Sequence, residues 1–172
     1  MLTSREVEVN MKGCHESEWY GEGAVIADKY DDYVQVKYKC NGTGTLYDYP
    51  LFPGINLIFM DFNCSDIFHE PIPNKNIIEI RHYQKGRVEF ELRNNKVFHM
   101  KEGELCIDAL ANVPAAYSFP FGYSVGLSCV IDKDSVDSET QQIFSYYNID
   151  VLNLGRELEI EKKWFLCRTP QR

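Results

Sequence analysis

Carboxylate, imidazole and phenol side chains lie on two neighbouring strand patterns in the middle of this 172-residue chain. The segment IIEIRHY carries Glu79, His82 and Tyr83, and the segment RVEFEL carries Glu89 and Glu91. Successive side chains of a strand point to opposite faces, so Glu79 and Tyr83 share one face and His82 lies on the other. Carboxylates inside a closed barrel can hold a cationic or hydroxyl-rich ligand. On an outer face the glutamates would only be solvated, and His82 could be a partly buried core or rim residue.

Aromatic residues alternate in the segment YSFPFGY, where Tyr117, Phe119, Phe121 and Tyr123 would share one face of a strand. Their rings offer rigid apolar area and hydroxyl groups, which suits recognition of a small amphipathic ligand. Packing in the core is the alternative interpretation, because aromatic stripes are usually core.

The histidine and cysteine patterns predict neither a metal site nor a catalytic one. The four histidines, His15, His69, His82 and His99, include no H-x-H pair, and the six cysteines have no C-x-x-C spacing. No nucleophile or oxyanion-stabilising motif accompanies the glutamates. We therefore predict no catalytic residue, no metal, no cofactor and reduced thiols.

The formal net charge of -8 disfavours binding to nucleic acid or to an anionic membrane by this chain alone. No stretch approaches the roughly 20 apolar residues of a membrane helix. The first residues, MLTSREVEVNMKGCHE, lack the basic and apolar regions of a signal peptide. The sequence predicts a cytoplasmic protein without membrane attachment.

Short strand patterns separated by turn residues must position these side chains. The strand patterns are AVIA, YVQVKYKC, TLYDY, INLIFMDFN, IIEIRHY, RVEFEL, GELCIDAL, AYSFPF and SVGLSCVI. Val34, Val36 and Tyr38 share one face, and the continuous apolar run of INLIFMDFN indicates a strand covered on both sides. About eight or more short strands predict a mainly β fold, closed as a jelly-roll β-barrel.

The register of the barrel decides which candidates look inward. One face of IIEIRHY and RVEFEL meets the interior, so either Glu79 and Glu91 or His82 and Phe90 would meet a ligand. If residues 94 and 95 close a two-residue hairpin, Phe90 faces His99 and both faces mix polar with apolar groups. A longer loop would change that register. The mixture favours a partly polar interior.

The character of the chain changes after residue 132. The segment SETQ, residues 138–141, matches a capping box, and Ile143, Phe144 and Tyr147 then share a helical face with Asn148 as a stop. A second short helix, capped by Asp150, would carry Val151, Leu154 and Leu158, although Gly155 weakens it. We expect a β-barrel over residues 1–132, with residues 1–20 as a flexible arm or edge strand. Residues 133–172 form one or two short helices and the start of a linker.

The segments FPGINLIFMDFN, NIIEIRHYQKGRVEFELRN, EGELCID and SFPFGYSVGLSCVIDKD resemble the N-terminal regulatory part of AraC family transcription regulators, in the branch with a cupin sensor domain. The likeness covers residues 51–158. It implies a ligand-binding, often dimerising cupin-like barrel that precedes two helix-turn-helix units. No such units follow Gly155, so the resemblance implies an excised domain or a natural fragment. DNA would be reached only through the absent domain.

These observations predict a regulatory domain that senses an unknown small-molecule effector, forms a possible homodimer and is not an enzyme. The candidate ligand-binding residues are Glu79, His82, Tyr83, Glu89, Glu91, Tyr117 and Phe119. One alternative is a stand-alone cupin enzyme, such as a metal-dependent isomerase or dioxygenase, whose usual histidine and glutamate ligands this sequence does not keep. Another alternative is a structural dimerisation domain with a filled barrel.

Overall fold

The computed structural model describes residues 20–21, 23–67, 76–92, 96–110, 114, 116–157 and 165–167. Of the predicted arm, residues 1–20, only residue 20 is described, and most of the predicted linker lies outside the described residues. Within the described ranges the chain forms eleven strands and two short helices. The strands are β1 Ala24–Lys29, β2 Val34–Tyr38, β3 Gly42–Phe52, β4 Ile55–Cys64, β5 Asp66–Ile67, β6 Ile77–Glu91, β7 Val97–Lys101, β8 Leu105–Ala109, β9 Ala116–Ser118, β10 Ser124–Asp132 and β11 Phe165–Cys167, and the helices are α1 Ser138–Tyr146 and α2 Leu154–Glu157.

The strands pair antiparallel in two sheets that share β6. The larger sheet has the order β1-β2-β3-β4-β10-β6-β8-β11. In the smaller sheet β5 pairs with β9, β9 with the second half of β6, and that half of β6 with β7. The four-strand orders β4-β10-β6-β8 and β5-β9-β6-β7 are those of a jelly roll. The predicted mainly β jelly roll with short C-terminal helices is therefore confirmed.

The main hydrophobic core lies between the two sheets. Val34, Val36 and Tyr38 are all buried in it, as their alternation predicts. The prediction that INLIFMDFN is covered on both sides is wrong, because burial alternates along β4 and Phe59 is 42% exposed. The outer face of β4 is open to solvent at that point.

Strand β6 changes its inward face half way along. Gly126 of β10 pairs with Tyr83 and Val125 pairs with Lys85, so Gln84 is an extra residue in a β-bulge. Arg81 and Tyr83 are buried before the bulge, and Val88 and Phe90 are buried after it. The prediction that either Glu79 and Glu91 or His82 and Phe90 face the interior is wrong. Because of the bulge, Glu79 and Phe90 both face inward.

The hairpin between β6 and β7 differs from the expected register by one residue. Phe90 pairs with Phe98, Val88 with Met100 and Glu89 with His99. The Leu92 N–H donates to the Lys96 carbonyl at 2.8 Å, and residues 93–95 between them lie outside the described residues. Polar and apolar residues are therefore separated on the two faces, and the interior next to this hairpin is apolar rather than mixed.

Helix α1 begins one residue earlier than the capping-box pattern predicts. The Asp137 carboxylate accepts a hydrogen bond from the Thr140 N–H at 2.8 Å and is the N-cap. Asn148 ends the helix with a φ of 58°, as predicted. Phe144 packs against the second core cluster, whereas Tyr147 is exposed, so the predicted helical face is only partly buried.

The second core cluster joins both helices to the outer face of the larger sheet. Its buried members are Ile55, Ile78, Ala109, Ile131, Val136 and Val151. Before helix α2, the Asp150 carboxylate accepts a hydrogen bond from the Asn153 N–H at 3.2 Å. Leu158, which was predicted to belong to this helix, lies outside the described residues. The barrel therefore has an inner core between the sheets and an outer core beneath the helices.

Candidate ligand-binding cavity

The space between the two sheets is incompletely filled and leaves a cavity of about 50 Å³. This volume exceeds what one water molecule requires. Apolar side chains form most of the wall, and three charged or hydroxylated side chains, Glu79, Arg81 and Tyr83, enter it from the first half of β6. A mostly apolar cavity with a few convergent polar groups is the usual form of a small-molecule site.

Four of the predicted ligand-binding residues line this cavity. Glu79 and Tyr83 face it from β6, Tyr117 faces it from β9, and Phe119 follows β9 directly. Tyr117 packs edge-on against Phe90, with ring centroids 5.3 Å apart. The structure thus brings together candidates that are 40 residues apart in the sequence, although their role in binding stays a prediction.

The other three candidates lie away from the cavity. His82 alternates to the opposite side of β6, where it pairs with Leu105 and Leu127. Glu89 lies beyond the bulge, with its Oε1 2.7 Å from Arg87 Nη2, and Glu91 is exposed. The bulge places the two glutamates outside, and any role they have would be on the outer surface.

The four aromatic rings of YSFPFGY do not share one face. Tyr117 and Phe119 are buried, but the chain turns after Phe119, and the Gly122 N–H donates to the Phe119 carbonyl at 2.8 Å. Phe121 is 62% exposed and Tyr123 is 41% exposed. The expectation of a single aromatic stripe is wrong because this turn interrupts the alternation.

Arg81 and Asp108, which are not among the predicted ligand-binding residues, form a buried ion pair at the polar end of the cavity. Arg81 Nη2 lies 2.6 Å from Asp108 Oδ1 and 2.7 Å from its Oδ2. Arg81 Nε lies 3.6 Å from Glu79 Oε2, and the Ser128 hydroxyl donates to Glu79 Oε1 at 2.6 Å. Strand alternation placed Arg81 on the same face as Glu79 and Tyr83, and the signal for Asp108 was an aspartate inside the apolar strand pattern GELCIDAL.

A second polar cluster holds Tyr38 in the cavity wall. The Tyr38 hydroxyl donates to the Tyr20 carbonyl at 2.9 Å. The Tyr20 hydroxyl in turn donates to the buried Asp48 carboxylate, and Asn56 Nδ2 donates to Asp48 Oδ1 at 2.7 Å. These hydrogen bonds satisfy the Asp48 carboxylate inside the barrel and fix the first described residue to β2, β3 and β4.

At the polar end of the cavity, Arg81, Asp108 and Glu79 together carry one formal negative charge. Burial raises the pKa of Asp108 to about 6, although Arg81 acts in the opposite direction. Burial alone would lower the pKa of Arg81, but Asp108 and Glu79 outweigh it and raise that pKa well above its usual value. Burial also raises the pKa of both Tyr83 and Tyr117. The phenols therefore stay neutral and can donate hydrogen bonds.

Acidification is expected to stabilise the fold through Asp108. Its pKa rises from 3.8 to about 6 on folding, so the folded protein binds more protons than the unfolded chain between these values. This contribution is fully present below about pH 3.8 and is lost as the pH rises through about 6. Its size is at most about 3 kcal/mol. Urea unfolding between pH 4 and pH 7 would measure it as the difference between the wild type and Asp108→Asn.

Other carboxylates change the stability with pH in the opposite direction, and the comparison with Asp108→Asn cancels their contribution. Hydrogen bonds from Thr140 lower the pKa of Asp137, and those from Asn153 lower the pKa of Asp150. Both stabilise the fold above their usual pKa and lose that effect on acidification, but both are present in each protein. A stability difference that stays flat from pH 7 to pH 4 would contradict the assignment to Asp108.

Among the described residues, no group of three or more His, Cys, Asp or Glu side chains is arranged to hold a metal ion. His15 and His69 lie outside those residues. The helices in the same part of the chain are also too short or too polar to cross a membrane.

The strand connectivity defines a jelly-roll domain with a cavity between its sheets. The chain matches no protein-family model and no curated protein. Three similar solved structures are a helix-turn-helix family transcriptional regulator from Vibrio cholerae, an ectoine synthase from P. lautus and the Cnp3 cupin domain of Schizosaccharomyces pombe.

All three similarities are distant. The Vibrio protein is 16% identical, with a TM-score of 0.39 over 50% of this chain and 50% of that protein. The ectoine synthase is 14% identical, with a TM-score of 0.38 over 86% of this chain and 88% of that protein. The Cnp3 domain is 15% identical, with a TM-score of 0.36 over 67% of this chain and 96% of that domain. The match thus spans half the length of the Vibrio regulator, and the fold assignment rests on the strand connectivity.

Proposed function

We propose that this chain is the small-molecule-sensing domain of an AraC-type transcription regulator. The observation that carries the proposal is the interior cavity, whose wall is mostly apolar and whose polar end holds Glu79, Arg81 and Tyr83. The resemblance of residues 51–158 to the regulatory part of these regulators supports the same function. In this proposal the domain binds an effector without catalysis, and DNA is bound by a separate helix-turn-helix domain.

Strand β10 offers a physical route from the cavity to the C-terminal helices. Val130 lines the cavity, and the next residue, Ile131, belongs to the outer core with Val136 and Val151. Ser128, also on β10, donates its hydroxyl hydrogen bond to Glu79. Suppose that β10 can take two positions relative to the rest of the domain. A ligand that binds one of these conformations more tightly than the other would shift the helices, and with them an attached DNA-binding domain.

A thermal-shift screen of sugars, peptides and aromatic metabolites tests whether the cavity binds a ligand. A compound at 100 times its Kd stabilises the fold by about 2.7 kcal/mol, which corresponds to a Tm increase of roughly 5–10 °C for a domain of this size. Val130→Leu narrows the cavity and is expected to abolish the increase. Val97→Leu makes the same change on a residue that is 61% exposed and should leave the increase intact.

Each outcome of the screen bears on the proposal. A compound that stabilises the wild type and Val97→Leu but not Val130→Leu supports a ligand-binding cavity. If no compound stabilises the wild type, or if Val130→Leu responds equally, the sensing function is wrong. A bound compound that is recovered chemically altered would instead favour a cupin enzyme.

A further inference from the structure

We propose that the cavity binds a small organic cation, a short aliphatic amine, with its ammonium group on the Glu79 carboxylate. This inference rests on the proposed function, because it names the class of ligand that the same cavity takes. Three observations carry it: the partners of the two carboxylates, the formal charge of the cluster and the nature of the remaining wall.

The two carboxylates near Arg81 differ in how fully they are paired. Asp108 has both oxygens within 2.7 Å of Arg81 Nη2, and its side chain is 4% exposed. Glu79 Oε2 is 3.6 Å from Arg81 Nε, beyond hydrogen-bond distance, and the Glu79 side chain is 21% exposed. Arg81 therefore neutralises Asp108 first, and Glu79 is the carboxylate that can accept a further hydrogen bond.

The Glu79 carboxylate also has a fixed orientation. The Ser128 hydroxyl donates to Oε1 at 2.6 Å, which leaves Oε2 as the oxygen with free acceptor capacity. Glu79 lines the cavity, so a ligand in the cavity can reach this carboxylate. An ammonium group has three donors and no acceptor, which matches a carboxylate with unused lone pairs.

The charge of the cluster favours a cation over an anion. Arg81, Asp108 and Glu79 together carry one negative charge, so an ammonium group would neutralise the cluster. A carboxylate ligand would raise it to two negative charges in a mostly apolar cavity, where unpaired charge is costly. Tyr83 and Tyr117 also line the cavity, and aromatic rings attract a cation that lies over their faces.

The rest of the wall fits a compact apolar body. Leu46, Ile58, Met60 and Val130 contribute only aliphatic or thioether surface. The cavity volume of about 50 Å³ is enough for a small molecule of a few non-hydrogen atoms. Both features favour a short branched or linear alkyl chain behind the ammonium group.

Three compounds of nearly equal shape separate charge from shape: isobutylamine, isobutanol and isobutyrate. Calorimetric titration and thermal shift at pH 7 are expected to show binding of isobutylamine to the wild type and at least tenfold weaker binding of isobutanol and isobutyrate. Glu79→Gln keeps the shape and the Ser128 contact but removes the charge, so it should weaken amine binding at least tenfold. Glu89→Gln is the matched control on the outer side of the bulge and should bind as the wild type does.

The outcomes distinguish the ligand class from the proposed function. Isobutanol or isobutyrate binding as tightly as the amine would overturn the inference, as would unchanged amine binding by Glu79→Gln. The binding of the three compounds to the wild type tests the ligand class even if Glu79→Gln fails to fold. If the amine fails while another compound stabilises the wild type but not Val130→Leu, the ligand class is wrong and the sensing function stands. If nothing binds, both proposals fail.

Discussion

Replacing Arg81 with methionine is expected to lower the free energy of unfolding by about 3–5 kcal/mol, because one partner of a buried ion pair is removed and the other is left behind. Asp108 would lose its partner at 2.6 Å, and Glu79 would lose its ionic neighbour at 3.6 Å. The substitution would also remove the guanidinium that lies 5.1 Å from the centroid of the Phe90 ring. Urea unfolding at pH 7 measures the loss.

The two members of the pair are expected to respond unequally. Asp108→Asn leaves Arg81 beside Glu79 and removes the excess negative charge, whereas Arg81→Met leaves two carboxylates without a cation. Asp108→Asn should therefore be the milder change. The double variant Arg81→Met with Asp108→Leu removes both buried charges and is expected to recover much of the stability lost in Arg81→Met.

A surface ion pair on the same strand provides the matched control. Arg87 Nη2 lies 2.7 Å from Glu89 Oε1, but these side chains are 32% and 30% exposed. Arg87→Met should change the free energy of unfolding by no more than about 1 kcal/mol, since exposed pairs contribute little. Equal losses in Arg81→Met and Arg87→Met, or a double variant as unstable as the sum of its single changes, would contradict the role given to the buried pair.

The strands and the closed β architecture could be predicted because they depend on local patterns. Alternation places Val34, Val36 and Tyr38 on one face whatever the rest of the chain does, and the structure buries all three. The same rule placed Glu79 and Tyr83 together, and both line the cavity. The candidates on this face were thus two of the three residues at the polar end of the cavity.

Contacts between distant segments could not be predicted in the same way. Asp108 meets Arg81 only because β8 pairs with β6 in a register that sets Arg81 opposite Cys106. The bulge at Gln84 depends on how β10 pairs with β6, and it reverses the inward face of every residue that follows. A single extra residue thus separated Glu79 from Glu91, which strict alternation would have kept together.

Local sequence patterns also did not predict the register in which β6 pairs with β7. Asn94 and Asn95 suggested a two-residue hairpin, but the Leu92 N–H donates a hydrogen bond to the Lys96 carbonyl, which does not fit that register. The one-residue shift pairs Phe90 with Phe98 instead of with His99. Both of these corrections affect β6, the strand that belongs to both sheets, so its register controls most of the candidate site.

Replacing Gly86 with alanine is expected to cost about 3 kcal/mol of stability and to abolish ligand binding in the cavity. Gly86 has a φ of 86°, and a Cβ there would overlap the backbone oxygen of Tyr123 on the neighbouring strand. The left-handed conformation alone costs an alanine roughly 1–2 kcal/mol, and the backbone overlap adds to that cost. Relief of the overlap requires β6 to move away from β10 beside the bulge at Gln84.

Gly122→Ala separates the backbone overlap from the strained dihedral angle. Gly122 has a φ of 75°, close to that of Gly86, but an added Cβ there would have no heavy atom within 4 Å. Gly122→Ala should therefore lose only about 1–2 kcal/mol and keep wild-type ligand binding. Equal losses of stability in the two variants, or ligand binding by Gly86→Ala as tight as in the wild type, would contradict control of the cavity by the geometry of β6 beside the bulge. A larger loss in Gly86→Ala, accompanied by loss of binding, would show that the geometry of β6 at the bulge controls both the fold and the cavity.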